Sequence, residues 1–484
     1  MPVVQTPQSR LRFGVARRDI TPPVGIYHRM WGAASHDRST GVHRPLTATA
    51  LVFQDESSAS TSDTQKILVA VDHCLLWAEE MDELIESVCT EGAVPREQFI
   101  VTFSHTHAAG LMDRQRSGMP GGDLIAPYLE RLAREIANAV RQARASVQAV
   151  TICYGAGRCT LAAHRDFWDE GSREFVCGFN PEGPADDTVV VARITDLQEK
   201  TVATLVNYAC HPTTLAWDNT LISPDFPGAL REVVEQATGA PCVFVQGASG
   251  DLGPREGFVG DVEVADRNGR QLGYAALAAL EPLASPGTRF AFSGPVVSGA
   301  TIGTWSHRPF DRAAEERAQR WRCRRWSVPL GYRSELPSRE AAQAELAQRQ
   351  QQEKHARAAG NQAGAAESRA LAERARRALT RVEALPPGDS FAYPIHLWQM
   401  GDAFWLAVEG EPYNLLAREL HERFPNVPII LATLANGSRC GYLPSEETYG
   451  KGIYQETIAV LAPGCLEQIA DSIGREIQGW LGGS

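Results

Sequence analysis

The stretch Phe99-Ile-Val-Thr-Phe-Ser-His105-Thr-His107 decides how this chain is read. An uncharged, largely apolar run of that kind suits a strand buried on both faces, as in sheets covered by helices. Two histidines follow at its C-terminal end, where α/β sheets open into the crevice that holds ligands. A second run, Val202-Ala-Thr-Leu-Val-Asn-Tyr-Ala-Cys-His211-Pro212, ends on another histidine. Neutral imidazole is the commonest metal ligand. Two such turns, far apart in sequence, point to one metal centre assembled from several strands. Taken singly, each also fits a structural pair or a satisfied core histidine, because residues two apart in extended chain merely share a face.

Working outward, apolar runs alternate with helical periodicity from about residue 11 to 300, the pattern of an α/β domain. Strands are expected at 47–53, 67–72, 99–104, 188–194, 202–208 and 242–246, and helices at 79–89, 123–144, 227–237 and 265–280. A hairpin over 188–208 makes the sheet mixed. From Phe310 to Leu385 the chain turns to Ala, Arg, Glu and Gln, with two helical stretches at 338–358 and 365–384 around Gly360-Asn361. Its Ala-rich stripe is too thin to hold a core. Four roles stand open for it: packing on the main domain, joining a second copy, covering the site as a lid, or a solvated strut. Strand patterns resume at 393–400, 404–408 and 429–433, with a last helix near 466–481. The expected fold is α/β, mixed β-sheets flanked by helices with an inserted helical hairpin. Residues 11–305 form the first part of the domain, 306–388 the insertion and 389–484 the completing part.

Composition narrows the function classes. The 484 residues are 43% hydrophobic and 22% charged, with a net charge of −11, as in a soluble globular protein. Nucleic-acid binding would need a basic stripe, and no run is long enough to cross a membrane. The first residues lack the apolar stretch of a secretory signal. The ten cysteines, among them Cys153, Cys210 and Cys242 inside apolar runs, read as free thiols with no CxxC zinc site. The expectation is a cytoplasmic protein that takes a small-molecule substrate, without nucleic acid or membrane insertion.

Three further positions carry chemistry. Gln246-Gly-Ala-Ser249-Gly250-Asp251-Leu-Gly253-Pro254 is a glycine-rich turn leaving an apolar strand, without the GK[ST] of a phosphate loop. Asp251 there is either a carboxylate supporting a site or a turn former. Glu411 follows Trp405-Leu-Ala-Val408, so it is exposed, paired or on a metal, because a lone buried carboxylate is costly. Tyr442 sits in the loop Asn436-Gly-Ser-Arg-Cys-Gly-Tyr442, where a structural tyrosine is the ordinary reading.

Taken together, these pieces resemble the neutral/alkaline (non-lysosomal) ceramidase family. Asp19-Ile-Thr-Pro22 is similar to its N-terminal motif, and Ser104-His-Thr-His107 to its histidine segment. Asn207-Tyr-Ala-Cys-His-Pro-Thr213 is similar to its histidine-Pro-Thr turn, and Ser223-Pro-Asp-Phe-Pro-Gly228 to its S-A-D-F-P-G box. Gly250-Asp-Leu-Gly-Pro254 resembles its G-D-V-S-P turn, and Gly410-Glu411 and Tyr442 match its late motifs. The resemblance spans most of 11–300 and 390–460.

It implies one Zn2+ per chain held by His105, His211, Glu411 and Tyr442. Two imidazoles and a carboxylate are a usual catalytic zinc set. It further implies that His107 donates to the scissile carbonyl and that Arg165 contacts substrate; the general base stays open, with Asp251 the next candidate because Glu411 cannot easily both bind metal and take a proton. The expected activity is hydrolysis of an amide in a small or acyl-amide substrate by metal-activated water. Ceramide cleavage, ester or lactone hydrolysis and a non-catalytic metal-binding role are the alternatives. Two departures stand out. Gly253 replaces the serine that the family's turn carries, leaving Ser249 as the nearest hydroxyl. The chain also reads as a short cytosolic member without the family's C-terminal immunoglobulin-like domain. The tryptophans Trp305, Trp321 and Trp326, with the insertion, are candidates to wall the pocket, and a homo-oligomer through the insertion is a further expectation.

Overall fold

The computed structural model describes residues 2–4, 6–56 and 65–482. Strand alternation explains its layers. In the strand Thr47–Gln54, Ala48, Ala50 and Val52 pack against the helices Ala78–Gly92 and Ile125–Ala145. Leu51 and Phe53, pointing the other way, enter a different apolar layer. That layer also receives Trp398 and Met400 from the strand Ser390–Met400, and Trp405 and Ala407 from Ala403–Val408. On the outer side of these last strands, Ile395, Leu397, Phe404 and Leu406 meet the helices Leu415–Arg423 and Cys465–Gly482. Helix, sheet, sheet and helix therefore stack in four layers. Both faces of each sheet are covered, which is why the strands read as continuous apolar runs.

The larger sheet has eight strands in the order Cys242–Gln246, Thr201–Tyr208, Thr188–Asp196, Gln148–Arg158, Gln8–Asp19, Thr47–Gln54, Gln65–Val71 and Phe99–Phe103. Only the two outermost pairs are parallel, and the rest are antiparallel. The sheet curls until its two edge strands approach one another. Histidines that follow opposite ends of the sheet thus arrive in one place. The smaller sheet runs Trp321–Gly331, Ser390–Met400, Ala403–Val408, Ile429–Ala432, its last pair parallel. Asn207 stitches the sheets together. Its Nδ2 donates to the carbonyls of Val245 and Leu431, and its Oδ1 accepts from the Leu431 N–H, all at 2.9 Å.

The mixed α/β architecture and the 188–208 hairpin match expectation. The span 306–388 is not helical throughout. Trp321–Gly331 within it is a strand paired along its length with Ser390–Met400, and the helices Arg339–Ala358 and Gln362–Ala384 lie between these paired strands. All ten cysteines are free thiols. Among the described residues no helix is long and apolar enough to cross a membrane.

The hairpin is no solvated strut. Arg369 pairs with Asp37, Arg377 donates to the Met30 carbonyl at 2.5 Å, and a Cβ on Gly32 would stand 3.2 Å from that of Ala370. It rests on the loops around the strand ends of its own domain.

Candidate metal centre

Three of the four candidate ligands follow the C-terminal ends of strands. His105 comes two residues after Phe99–Phe103, His211 three after Thr201–Tyr208, and Glu411 three after Ala403–Val408. Tyr442 is brought in by a short parallel pairing of Tyr442–Leu443 with Glu411–Pro412. His105 has φ +69°, a left-handed conformation that is uncommon outside glycine and that turns the chain sharply. Its ring stands at 87° to that of His107, with centroids 5.0 Å apart. The two rings share a region without lying parallel.

Three ligating atoms form a nearly equilateral cluster. The His105 Nε2 and His211 Nε2 are 3.1 Å apart, and Glu411 Oε2 is 3.1 Å from each. The Tyr442 hydroxyl lies 3.3 Å from His211 Nε2. Ligands at about 2.0–2.2 Å from a tetrahedral zinc are roughly 3.3–3.5 Å from one another, so the set fits with small adjustments. The tautomers fit as well. His105 Nδ1 lies 2.7 Å from the Cys74 carbonyl and His211 Nδ1 2.6 Å from the Ser249 carbonyl. A carbonyl only accepts, so both Nδ1 atoms carry the proton and both Nε2 lone pairs face the cluster. Two lone pairs and a carboxylate oxygen held this close repel unless a cation or proton sits among them.

The electrostatics carry the same message. Burial opposes charge on His105, but Cys74 and Glu411 outweigh it and push its pKa well up. Burial would raise Glu411, yet His105 and His211 hold it well below the carboxylate range. The carboxylate demands a positive partner. Burial, aided by Arg165, lowers His211 to about 3, and burial with His105 holds His107 well below its usual value. His107 is therefore neutral. Its Nε2 is buried with no hydrogen-bond partner, and its ring packs 5.1 Å from that of Trp31.

A second group, Cys74 with His105 and His107, also places ligand atoms within 4.8 Å. His105 Nδ1, on the Cys74 side, is already committed to a carbonyl, so the His105–His211–Glu411 group is the better metal cradle.

The other expected residues stand around this core. Arg165 lies with Cζ 5.2 Å from the centroid of the Tyr442 ring and donates to the Gly250 carbonyl at 2.5 Å. Burial drives the Tyr442 phenol pKa up, with Arg165 opposing. Asp251 Oδ1 accepts from the Asn414 N–H at 2.6 Å, and Asp251 does not line the pocket. Ser249 Oγ lies 3.2 Å from His211 Nδ1, on the side of the ring away from the ligands, and accepts from Gln246. Gly253 faces Thr213 and Arg165.

The three tryptophans do not wall the pocket. Trp305 is 39% exposed on the hairpin Thr288–Ser298/Ala300–Pro309, while Trp321 and Trp326 pack against the two cores of the smaller sheet. Trp77, Arg377 and Arg381 line it instead. Sequence reasoning missed these. The available signal was the i, i+4 arginine pair on the insertion, which a polar helix face disguises.

The fold is that of the neutral ceramidases. Neutral ceramidase from Pseudomonas aeruginosa matches at TM-score 0.62 and 15% identity, covering 97% of this chain and 74% of that one. A ceramidase complexed with C2 matches at TM-score 0.60 and 14% identity, covering 96% and 74%. In sequence, the model of the neutral/alkaline non-lysosomal ceramidase N-terminal region matches residues 11–256, just over half of the chain. The chain belongs to that family. Neutral ceramidase B of Dictyostelium discoideum is 23% identical over 292 residues, which cover 54% of this chain and 39% of that protein. The match thus spans about two-fifths of that relative's length.

Proposed function

We propose that the chain is a metal-dependent amidohydrolase acting on an acyl amide of the ceramide class, with one zinc held by His105, His211, Glu411 and Tyr442. The observation that carries the reading is the cluster of two Nε2 atoms and a carboxylate oxygen 3.1 Å apart. Zinc at such a set would act as a Lewis acid and would lower the pKa of water toward neutrality. The protein's residues do the rest. The carbonyls of Cys74 and Ser249 fix the ligand rings. Neutral His107 offers its unpaired Nε2 to the reacting group. As a donor to the developing oxyanion it would contribute about 10²–10³ in rate. Arg165 braces the Tyr442 ring and the Gly250 turn. Asp251, held on the Asn414 N–H outside the pocket, acts as a brace in this reading and not as the base.

Family membership favours an amide over an ester or lactone, which the same carbonyl chemistry would also accept. Elemental analysis of the purified chain, followed by assays on N-acylsphingosine, short acyl amides and matched esters, tests the proposal. The expected result is about one zinc per chain and amide cleavage that a chelator abolishes and zinc restores. A chain that holds no divalent metal and gains no activity with zinc would overturn it in favour of a non-catalytic role.

A further inference from the structure

The helix Gln362–Ala384 delivers two arginines to the mouth of the metal cluster. Arg377 and Arg381 are one turn apart, so they share a helix face. Both line the pocket that holds His105, His107, Glu411 and Tyr442. Arg377 is already committed: its Nε donates to Glu373 at 2.8 Å and its Nη2 to the Met30 carbonyl at 2.5 Å.

Arg381 differs. Among the described residues, its guanidinium makes no hydrogen bond and meets no carboxylate within ion-pair distance. It is half-buried. Burial, opposed by Tyr454, brings its pKa down to about 10. Its stem passes beside the Tyr442 loop, where a Cβ on Gly441 would stand 3.7 Å from Arg381 Cδ. The nearby carboxylates are taken. Glu411 faces the two histidines, and Glu373 is shared by Arg116 and Arg377. A guanidinium without a counter-charge on the wall of the pocket that holds His105, His107, Glu411 and Tyr442 is open to an anion on the ligand. The missing negative charge belongs to the ligand.

We propose that the natural substrate is an acyl amide bearing an anionic group, carboxylate or phosphate, which pairs with Arg381 while its amide lies over the His105–His211–Glu411 cluster. The proposal rests on the hydrolytic reading above and narrows it. A guanidinium fork matches both anions in two-armed geometry. A neutral head group would leave Arg381 without a charged partner in the pocket. In the cleavage, water adds its hydroxyl to the acyl carbon and its proton to the nitrogen as the carbon–nitrogen bond breaks, so no further reactant is needed.

The test compares three N-dodecanoyl amides on the zinc-loaded protein: those of glycine, of ethanolamine phosphate and of ethanolamine. The wild type, Arg381→Gln, Arg381→Lys and the exposed hairpin control Arg357→Gln are assayed side by side. At least one anionic amide is expected to exceed the neutral one in kcat/KM by roughly tenfold or more, the scale of one charge-assisted hydrogen bond. Which anion wins identifies the head group. Arg381→Gln should erase that advantage through KM, Arg381→Lys should restore part of it, and Arg357→Gln should preserve it. Equal or better turnover of the neutral amide by the wild type overturns the proposal and leaves the hydrolase reading standing. If none of the three is cleaved, the hydrolase reading fails for these substrates and calorimetric binding decides. Tighter, Arg381-dependent binding of an anionic amide sustains the proposal, and equal binding overturns it.

Discussion

Arg116 and Glu373 face one another in a two-armed ion pair, both N–H···O distances 2.8 Å, that ties the loop beyond His107 to the second helix of the insertion. Arg116 is 1% exposed, and Asp113 stands 3.2 Å from its Nε. Neutralising Glu373 weakens two charge-assisted hydrogen bonds, each worth about 1.5–3 kcal/mol, while Asp113 stays beside Arg116. Glu373→Gln is therefore expected to lower stability by about 3 kcal/mol and to expose residues 332–389 to protease. Zinc content should hold, because no proposed ligand lies on the hairpin. Thermal melting and limited proteolysis check this, and an unchanged melting curve would mean that the hairpin docks through other contacts.

His211→Ala removes one corner of the ligand cluster and the bond to the Ser249 carbonyl. Metal content and turnover should fall together. Elemental analysis beside an activity assay reads both, and a fully zinc-loaded, active variant would refute the ligand assignment.

Gly253→Ser tests the missing hydroxyl. A Cβ at Gly253 would meet Thr213 Oγ1 at 3.7 Å and Arg165 Cδ at 4.0 Å, both ordinary contacts. Thr213 Oγ1 and Arg165 Nε are buried without partners, so a serine hydroxyl gives one of them a hydrogen bond worth about 1 kcal/mol. Stability should rise by that order with metal content unchanged. Turnover should change little if, as proposed, water is the attacking group. A gain on the order of 10²-fold would assign the attack, or a proton transfer, to the serine.

Asp251 gives the stability curve a predictable slope. Burial raises its carboxyl pKa to about 6, with His164 opposing. The unfolded group titrates near 3.9, so between about pH 4 and 6 the folded state keeps the proton longer. Stability attributable to this group therefore falls as pH rises through that window, by up to about 3 kcal/mol. Asp251→Asn should flatten the slope, as measured by urea unfolding of both proteins at several pH values. Identical curves would show that the carboxyl stays ionised throughout.

Much of the site was legible because three of its proposed ligands follow uncharged strands, and a polar side chain at the end of a doubly buried strand is conspicuous. His105, His211 and Glu411 all announce themselves this way. Tyr442 does not, since it reaches the cluster through a two-residue pairing that follows a glycine-rich loop. The layers were less legible. The strand Gln8–Asp19 carries four arginines and reads as polar, yet it lies in the middle of the larger sheet, where Arg17 reaches Glu235 and Arg18 reaches Glu135. Long side chains can leave a buried strand sideways to find carboxylates, and periodicity is blind to that. The role of the hairpin was out of reach for a similar reason. An Ala-rich helix with arginines on its face looks solvated until the partner of each arginine is known.

The Asn207 amide has a consequence for how the cluster tolerates change. Apolar sheets packed face to face can slide a little at small cost, whereas an amide that spends both donors and its oxygen on two strands at once admits a single alignment. His211 and Glu411 project from opposite sides of that seam, so one carboxamide in the sandwich sets the gauge between two of the proposed ligands. Replacing Asn207 with a nonpolar residue of equal volume would release that alignment and loosen the spacing between the two proposed ligands.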